Sequence, residues 1–173
     1  LSDDEAAYIF EIAKALGAEA ITTEPPVSQA MGVGQLASQH RVMVGYHGHA
    51  GGDRERFGQD GAWGQTFFYS PFNGANVDIG HYWAGNNRSP FPFIEEYSHR
   101  ITNLHIKDRK MNNGPNLPWG EGDSQVAETL RFMRDKKYTF QATIELDHPI
   151  PAGSDALEEL AKCVEFARRA LNT

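Results

Sequence analysis

The chain has 173 residues, of which 40% are hydrophobic and 23% are charged, and this composition is typical of a folded globular domain rather than a disordered chain. The formal net charge of -7 argues against a nucleic-acid-binding surface or a surface for anionic membranes, since both need clustered Lys and Arg. Cys163 is the only cysteine, which excludes an intramolecular disulfide and a thiolate zinc cluster.

Strand and helix patterns alternate along the chain. Segments rich in β-branched and apolar residues, bounded by turn-forming residues, predict strands at 18–26, 41–49, 74–81, 101–108 and 140–147. Helical spacing of apolar residues predicts helices at 6–16, 27–40, 91–100, 124–137 and 154–172. The segments 50–71, 82–90 and 109–123 are predicted as loops, with a short helix as an alternative within the first of them.

The ends and the buried face of the last two helices are also predictable. The helix at 124–137 is expected to be capped by Asp123 or Ser124, and the helix at 154–172 by Ser154. The helical spacing predicts that the last helix buries a stripe formed by Leu157, Leu160, Ala161, Val164 and Leu171.

Alternation of strands and helices implies parallel strands joined by right-handed crossovers, in a (β/α) barrel or an open doubly wound sheet. The first strand leads into "EPPVSQ", and no glycine-rich phosphate-binding motif occurs, so we favour the barrel. A complete (β/α)8 TIM barrel takes about 250 residues. We therefore expect residues 1–173 to be the last five or so βα units of one barrel domain. About three further βα units would precede Leu1, or a partner chain would supply the strands that a closed barrel still needs.

Four successive strands carry a histidine or a carboxylate near their C-terminal ends, where the active site of a (β/α) barrel lies. They are His47, Asp78, His105 and Glu145, each separated from the next by about one βα unit. Imidazole nitrogens and carboxylate oxygens are ligands for Mn²⁺ and Zn²⁺, our first candidates, and also for Co²⁺, Fe²⁺ and Mg²⁺. Because two buried carboxylates repel each other without a cation, a metal site is favoured over four unrelated core residues.

Further side chains near the same strand ends are candidates for contact with a substrate: His49, Glu24, Asp108, Trp83 and Trp119. The two indoles would supply an apolar floor for a sugar ring, with ordinary core packing as the alternative. Lys107 shares the face of His105 if the strand continues that far. It is then either a substrate-contacting cation or a solvated charge at the rim.

Several segments together resemble the xylose isomerase-like TIM-barrel superfamily of sugar phosphate isomerases and epimerases. The segments are "HGH", "NVDIGHYWAGN", "ITNLHIKDRK", "NGPNLPWGEGD" and "TIELD", and the resemblance runs from about Glu19 to the C-terminus. It implies a divalent metal held by side chains on the last four strands, where Asp78, His105 and Glu145 match by position. It also implies a substrate-contacting histidine at His81.

One strand end departs from the pattern of that superfamily. His47 stands where ketose epimerases have a metal-binding glutamate that doubles as an acid/base. Histidine is an acceptable ligand, so the metal site is still expected, but a two-glutamate epimerisation does not follow. The loop "NGPNLPWGEGD" lacks the histidine of the endonuclease-type relatives, so a three-zinc DNA-repair site is not expected.

We therefore expect a metal-dependent sugar isomerase or epimerase-like enzyme of carbohydrate metabolism that acts on a small-molecule sugar through an enediolate. Glu145 is the expected base, with His81 or Lys107 handling the second proton or the substrate oxygens. The alternatives are a keto-sugar lyase or dehydratase on the same metal site and a non-catalytic sugar-binding barrel.

The expected surroundings of the protein follow from the same composition. No nucleic acid or membrane partner is expected, and a homo-oligomer stays open. No signal peptide is visible, so a cytoplasmic location is the default expectation, although sequence ahead of Leu1 could carry an export signal.

Overall fold

The computed structural model describes residues 3–50 and 60–173. Its strands are β1 (Ala20–Thr23), β2 (Met43–His47), β3 (Asn73–Asp78), β4 (Ile101–Ile106), β5 (Asp108–Arg109), β6 (Asn116–Leu117) and β7 (Gln141–Ile144). Five of them pair in parallel in the order β1-β2-β3-β4-β7, whereas β5 and β6 form a small antiparallel hairpin.

Helices connect these strands. They are α1 (Asp3–Ala15), α2 (Ala30–His40), α3 (Asp60–Phe67), α4 (Ile79–Asn86), α5 (Phe91–Glu96), α6 (Val126–Lys136) and α7 (Ala156–Leu171). Short 3₁₀ turns at Val27–Gln29 and Ser98–Arg100 precede α2 and β4. The parallel pairing of successive strands confirms the predicted barrel architecture, and the five strands form a curled half of a (β/α)8 barrel.

The hydrophobic core lies between the sheet and its helices. Alternate residues of the strands are fully buried there, because successive side chains of a strand point to opposite faces. Val77, Leu104 and Ile106 are each at most 1% exposed. The hydroxyl of Tyr46 donates to the carbonyl of Ala30 in α2, and the Trp63 indole N–H of α3 donates to the carbonyl of Tyr46 at 2.9 Å. These contacts fix both helices on the same side of β2.

The region around Asp78 differs from the prediction. The expected strand to residue 81 ends at Asp78, and the expected loop is largely the helix α4. Asp78 is the N-cap of α4, and its Oδ1 accepts the backbone N–H of His81 at 2.7 Å. A capping carboxylate satisfies one of the free N–H groups of the first turn, so the chain turns into a helix where the apolar pattern alone suggests a longer strand.

The predicted caps of the last two helices are wrong. The residue before α6 is Gln125, in a left-handed conformation and without a side-chain cap, because the carboxylate of Asp123 is engaged by the backbone N–H of Met111. Asp155 caps α7 and accepts the backbone N–H of Glu158.

The predicted apolar stripe of α7 is also wrong. Leu157 is 75% exposed, and the buried residues of the helix are Glu159, Cys163 and Ala170. Glu159 is turned inward because it accepts a hydrogen bond from Ser154 at 2.6 Å and pairs with His148 at 3.3 Å. Among the described residues, no helix is both long and apolar enough to cross a membrane.

Candidate metal centre

The strand register brings the four predicted ligands to one face of the sheet. His47 lies opposite Asn76, and Asp78 lies opposite His105, so these side chains point the same way. Glu145 follows β7, two residues beyond the partner of His105 on that strand, and therefore shares this face. One ligand atom from each of His47, Asp78, His105 and Glu145 lies within 4.8 Å of the others.

This donor set fits a divalent cation. Ligand atoms about 2.0–2.2 Å from zinc lie at most about 4.4 Å apart, so only small side-chain movements are needed to close the site. Nδ1 of His47 is buried without a hydrogen-bond partner among the described residues. Oδ2 of Asp78 is likewise buried without a hydrogen bond of good geometry there, and the Lys107 ammonium 3.0 Å away is its counter-ion. Two imidazoles and two carboxylates suit Zn²⁺, Mn²⁺ or Fe²⁺.

Lys107 extends its ammonium group into the same centre. Its Nζ lies 3.0 Å from Asp78, 2.8 Å from Glu145 and 3.0 Å from Asp147. The side chain is 2% exposed, so its interpretation as a solvated rim charge is wrong. Gly80 makes room for it, since a Cβ at that position would come 2.7 Å from Cγ of Lys107.

The two carboxylates of the centre have different proton affinities. Burial raises the pKa of Asp78 to about 7, although the charge of Lys107 opposes that shift. Burial also acts to raise the pKa of Glu145, but hydrogen bonds from His105 and Lys107 outweigh it and hold that pKa below its ordinary value. Glu145 is therefore ionised at neutral pH. Asp78 holds its proton more strongly, and a cation bound nearby would lower its pKa because it favours the charged carboxylate.

Two histidines of the centre, His47 and His81, are neutral at pH 7. Burial, and then the neighbouring imidazoles His105 and His49, lowers the pKa of His47 to about 4. Burial, and then the charges of Lys107 and Arg109, lowers the pKa of His81 to about 2. Neutral imidazoles have the free nitrogen lone pair that metal binding requires.

Asn76 is a buried member of the site that sequence reasoning missed. Its Nδ2 lies 3.2 Å from Nε2 of His105, while Nδ1 of His105 lies 2.8 Å from Oε2 of Glu145. The only sequence signal for Asn76 is its position two residues before Asp78, on the same face of β3. Groups that hydrogen-bond the second nitrogen of a ligand histidine orient its ring and tune its affinity for metal.

His49 and Glu24 lie beside the centre, where the ring of His49 contacts those of His47 and His81. The side chains of His49 and Glu24 pair at 3.0 Å between Nε2 and Oε2 and are both partly exposed. His47, His49 and His81 also form a close trio of imidazoles. However, the two nitrogens of His81 face Lys107 at 2.9 Å and Arg109 at 2.6 Å, so that trio offers only two imidazoles to a second cation.

The structure places Asp108 away from the expected substrate contact. Its buried carboxylate accepts the backbone N–H groups of Gly120 at 2.8 Å, Gly122 at 3.0 Å and Ser124 at 3.0 Å. A side chain at Gly122 would collide with that carboxylate, which explains the glycine. Asp108 thus organises the loop that follows β6.

The two predicted indoles also pack within the protein. Trp83 is 9% exposed in α4 and therefore offers little surface to a sugar ring. The ring of Trp119 lies 5.9 Å from that of Phe166 in an edge-to-face arrangement, against α7. Core packing, the alternative interpretation, describes both residues better.

Comparison with known proteins identifies the fold. No family model and no curated protein matches the sequence. The structure matches a xylose isomerase domain protein from Planctomyces limnophilus with a TM-score of 0.73 and 17% identity, covering 96% of this chain and 63% of that one. It matches another from Alicyclobacillus acidocaldarius with a TM-score of 0.75 and 19% identity, covering 98% of this chain and 71% of that one.

Other solved structures with this fold include enzymes. The probable 3-DHS dehydratase AsbF from Bacillus anthracis matches with a TM-score of 0.70 and 13% identity, covering 98% of this chain and 68% of that one. A D-tagatose 3-epimerase-like protein, an L-ribulose 3-epimerase and an IOLI protein with a bound zinc atom also match. The chain therefore has the fold of the xylose isomerase-like TIM barrels and spans about two thirds of the length of these proteins.

Proposed function

We propose that this protein is a divalent-metal-dependent sugar isomerase or epimerase-like enzyme. The observation that carries the proposal is the convergence of His47, Asp78, His105 and Glu145 at the C-terminal ends of four neighbouring parallel strands. Active sites of TIM-barrel enzymes lie at this end of the strands. The similar folds of two epimerase-type proteins and of a zinc-containing protein support the proposal.

The residues of the centre divide the chemistry among them. A bound divalent cation would act as a Lewis acid that polarises the carbonyl of a sugar. Glu145, kept ionised by its neighbours, would remove the proton next to that carbonyl to form an enediolate. His81 or Lys107, whose Nε2 and Nζ lie 2.9 Å apart, would contact the substrate oxygens.

A keto-sugar dehydratase is the second candidate. Epimerisation needs a proton-transferring group on each side of the reacting carbon, and His47 stands where the epimerases have their second glutamate. A single carboxylate base suits a reaction that removes one proton and expels a leaving group from the next carbon. The fold of the probable dehydratase from Bacillus anthracis is consistent with this alternative.

Turnover of a panel of keto-sugars, free and phosphorylated, with Mn²⁺ or Zn²⁺ tests the proposal. An isomerase or epimerase gives a product with the mass of its substrate, whereas a dehydratase product is lighter by one water. The variant Glu145→Gln is the control for adventitious metal catalysis. Sugar binding without turnover of any substrate would refute the enzyme proposal and leave a sugar-binding barrel.

A further inference from the structure

Asn76 is fully buried beside the candidate metal centre, and one end of its amide lacks a partner. It lies on β3 two residues before Asp78, with an exposed fraction of 0%. Its Nδ2 lies 3.2 Å from Nε2 of His105, whereas its Oδ1 has no hydrogen-bond partner among the described residues. A buried polar atom without a hydrogen bond is costly, so this unpaired oxygen needs a physical reason.

The contacts of His105 show where its proton lies when no cation is bound. Nδ1 lies 2.8 Å from Oε2 of Glu145, and the same carboxylate accepts a hydrogen bond from the ammonium group of Lys107 at 2.8 Å. An ionised carboxylate only accepts, so Nδ1 is the protonated nitrogen. Nε2 faces the amide nitrogen of Asn76, which only donates, so Nε2 carries the lone pair of a neutral ring.

A cation at the centre requires the other tautomer of His105. The buried amide of Asn76 blocks Nε2, whereas Nδ1 lies beside Glu145, another of the predicted ligands. Nδ1 is therefore the nitrogen that a cation can reach. A ligating nitrogen must offer its lone pair, so the proton of the neutral ring then lies on Nε2. In the present orientation of Asn76, this N–H would meet an amide nitrogen, and two donors would face each other.

We infer that Asn76 is a positioning residue for His105, and that its amide turns by about 180° when the centre binds a divalent cation. After the turn Oδ1, the unpaired oxygen, accepts the Nε2–H of His105 and holds the ring with Nδ1 directed at the cation. Such a hydrogen bond to the second nitrogen of a ligand histidine orients the ring and strengthens it as a ligand. The inference rests on the metal centre of the proposed function but not on its sugar chemistry.

An amide is the side chain that suits both states. It can donate to the bare nitrogen of the metal-free ring and accept from the N–H of the ligating ring. A carboxylate at this position could only accept, and it would add a third buried negative charge next to Asp78 and Glu145. An aliphatic side chain could do neither.

Nitrogen NMR of ¹⁵N-labelled protein, with and without Zn²⁺ at one fixed pH, measures both side chains without a substrate. The variant His105→Asn identifies the ring signals of His105. Without metal we expect a proton on Nδ1 and a scalar coupling across the N–H···N bond between Nδ2 of Asn76 and Nε2. With Zn²⁺ the proton should lie on Nε2 and the coupling should vanish. A proton on Nε2 in the metal-free protein, or one that stays on Nδ1 with Zn²⁺, would overturn the inference.

The variant Asn76→Leu removes the donor and the acceptor at similar side-chain size. The Nε2–H of the ligating ring then has no acceptor, so the affinity for Zn²⁺, measured by competition with a chelator, should fall about tenfold. Asn103→Leu is the matched control, because Asn103 lies two residues before His105 on β4 and its Oδ1 accepts from Thr102 at 3.1 Å. Its affinity should equal that of the wild type. Equal or tighter binding of Zn²⁺ by Asn76→Leu would contradict the inference, and the wild-type NMR decides the matter if this variant does not fold.

These outcomes are distinguishable from those that test the sugar chemistry. A tautomer change with Zn²⁺ and no turnover of any keto-sugar refutes the proposed enzyme and keeps the role of Asn76. Metal-dependent turnover by a protein whose His105 keeps its proton on Nδ1 refutes the role of Asn76 and keeps the enzyme. A wild-type protein that binds neither Zn²⁺ nor Mn²⁺ would overturn both.

Discussion

Replacing Lys107 with methionine should make the centre bind a divalent cation more tightly. The methionine keeps most of the volume of the buried chain but removes the ammonium group that lies 3.0 Å from Asp78 and 2.8 Å from Glu145. A cation bound to the same two carboxylates would lie on the order of 4 Å from Nζ, given metal–oxygen distances of about 2.1 Å. The wild-type ammonium therefore repels the metal.

The size of the effect follows from the charges. Two unit charges about 4 Å apart interact by about 1 kcal/mol in water and about 4 kcal/mol near a protein surface, and a divalent ion doubles these values. We take the value for water, about 2 kcal/mol for a divalent ion, as the repulsion that the substitution removes. The smaller value applies because the carboxylates that lose Lys107 relax and take up protons. This corresponds to an affinity for Zn²⁺ about 30-fold higher than that of the wild type.

Competition with a chromogenic chelator, at fixed pH and ionic strength, measures this affinity. Lys110→Met is the control, since it removes the same charge from a site where Lys110 pairs with Asp123. The metal-free Lys107→Met protein should also be less stable, because its buried carboxylates lose their counter-ion, and Zn²⁺ should raise its Tm more than that of the wild type. An unchanged or weaker affinity would show that Lys107 organises the ligands rather than competing with the metal.

Three other variants test separate parts of the structure. Glu145→Gln should still bind metal through its amide oxygen but lose about 10²–10⁴-fold in turnover, and a variant that keeps more than about a tenth of the wild-type rate would rule out Glu145 as the base. Asp108→Asn should lower the free energy of unfolding in urea by about 3 kcal/mol, since it weakens charged hydrogen bonds from three backbone N–H groups; a raised KM at unchanged stability would instead restore the substrate role. The pKa of Glu159 is lowered from 4.5 to about 2 by hydrogen bonds from Lys162 and Ser154, so its stabilisation is complete above pH 4.5 and is lost as the pH falls toward 2. Glu159→Gln should therefore flatten the acid side of the stability curve, and an acid transition identical to that of the wild type would contradict this.

The sequence predicts the parts of this protein that repeat along the chain. The alternation of strands and helices predicts the parallel sheet, and the polar residues at successive strand ends predict which side chains meet. His47, Asp78, His105 and Glu145 could be found in this way because parallel strands bring equivalent ends together.

The remaining parts depend on contacts that no local pattern reveals. Asp78 caps α4 and so ends β3 earlier than its apolar residues suggest. Glu159 of α7 is buried because it hydrogen-bonds with His148 and Ser154, which precede the helix. The buried face of α7 therefore differs from the one that the apolar spacing predicts. Arg109 and Asn76 are ordinary polar residues in the sequence, and their importance follows only from the imidazoles beside them.

Asp78 serves two structures with one carboxylate. Oδ1 holds the His81 amide at the start of α4, while Oδ2 faces Lys107 and the candidate metal ligands. Any group that draws electron density toward Oδ2 weakens Oδ1 as an acceptor, and any shift of the carboxylate changes the first turn of the helix. The rate at which the His81 backbone amide exchanges with deuterated solvent should therefore report whether a cation occupies the centre. This measurement needs no substrate, dye or mutation.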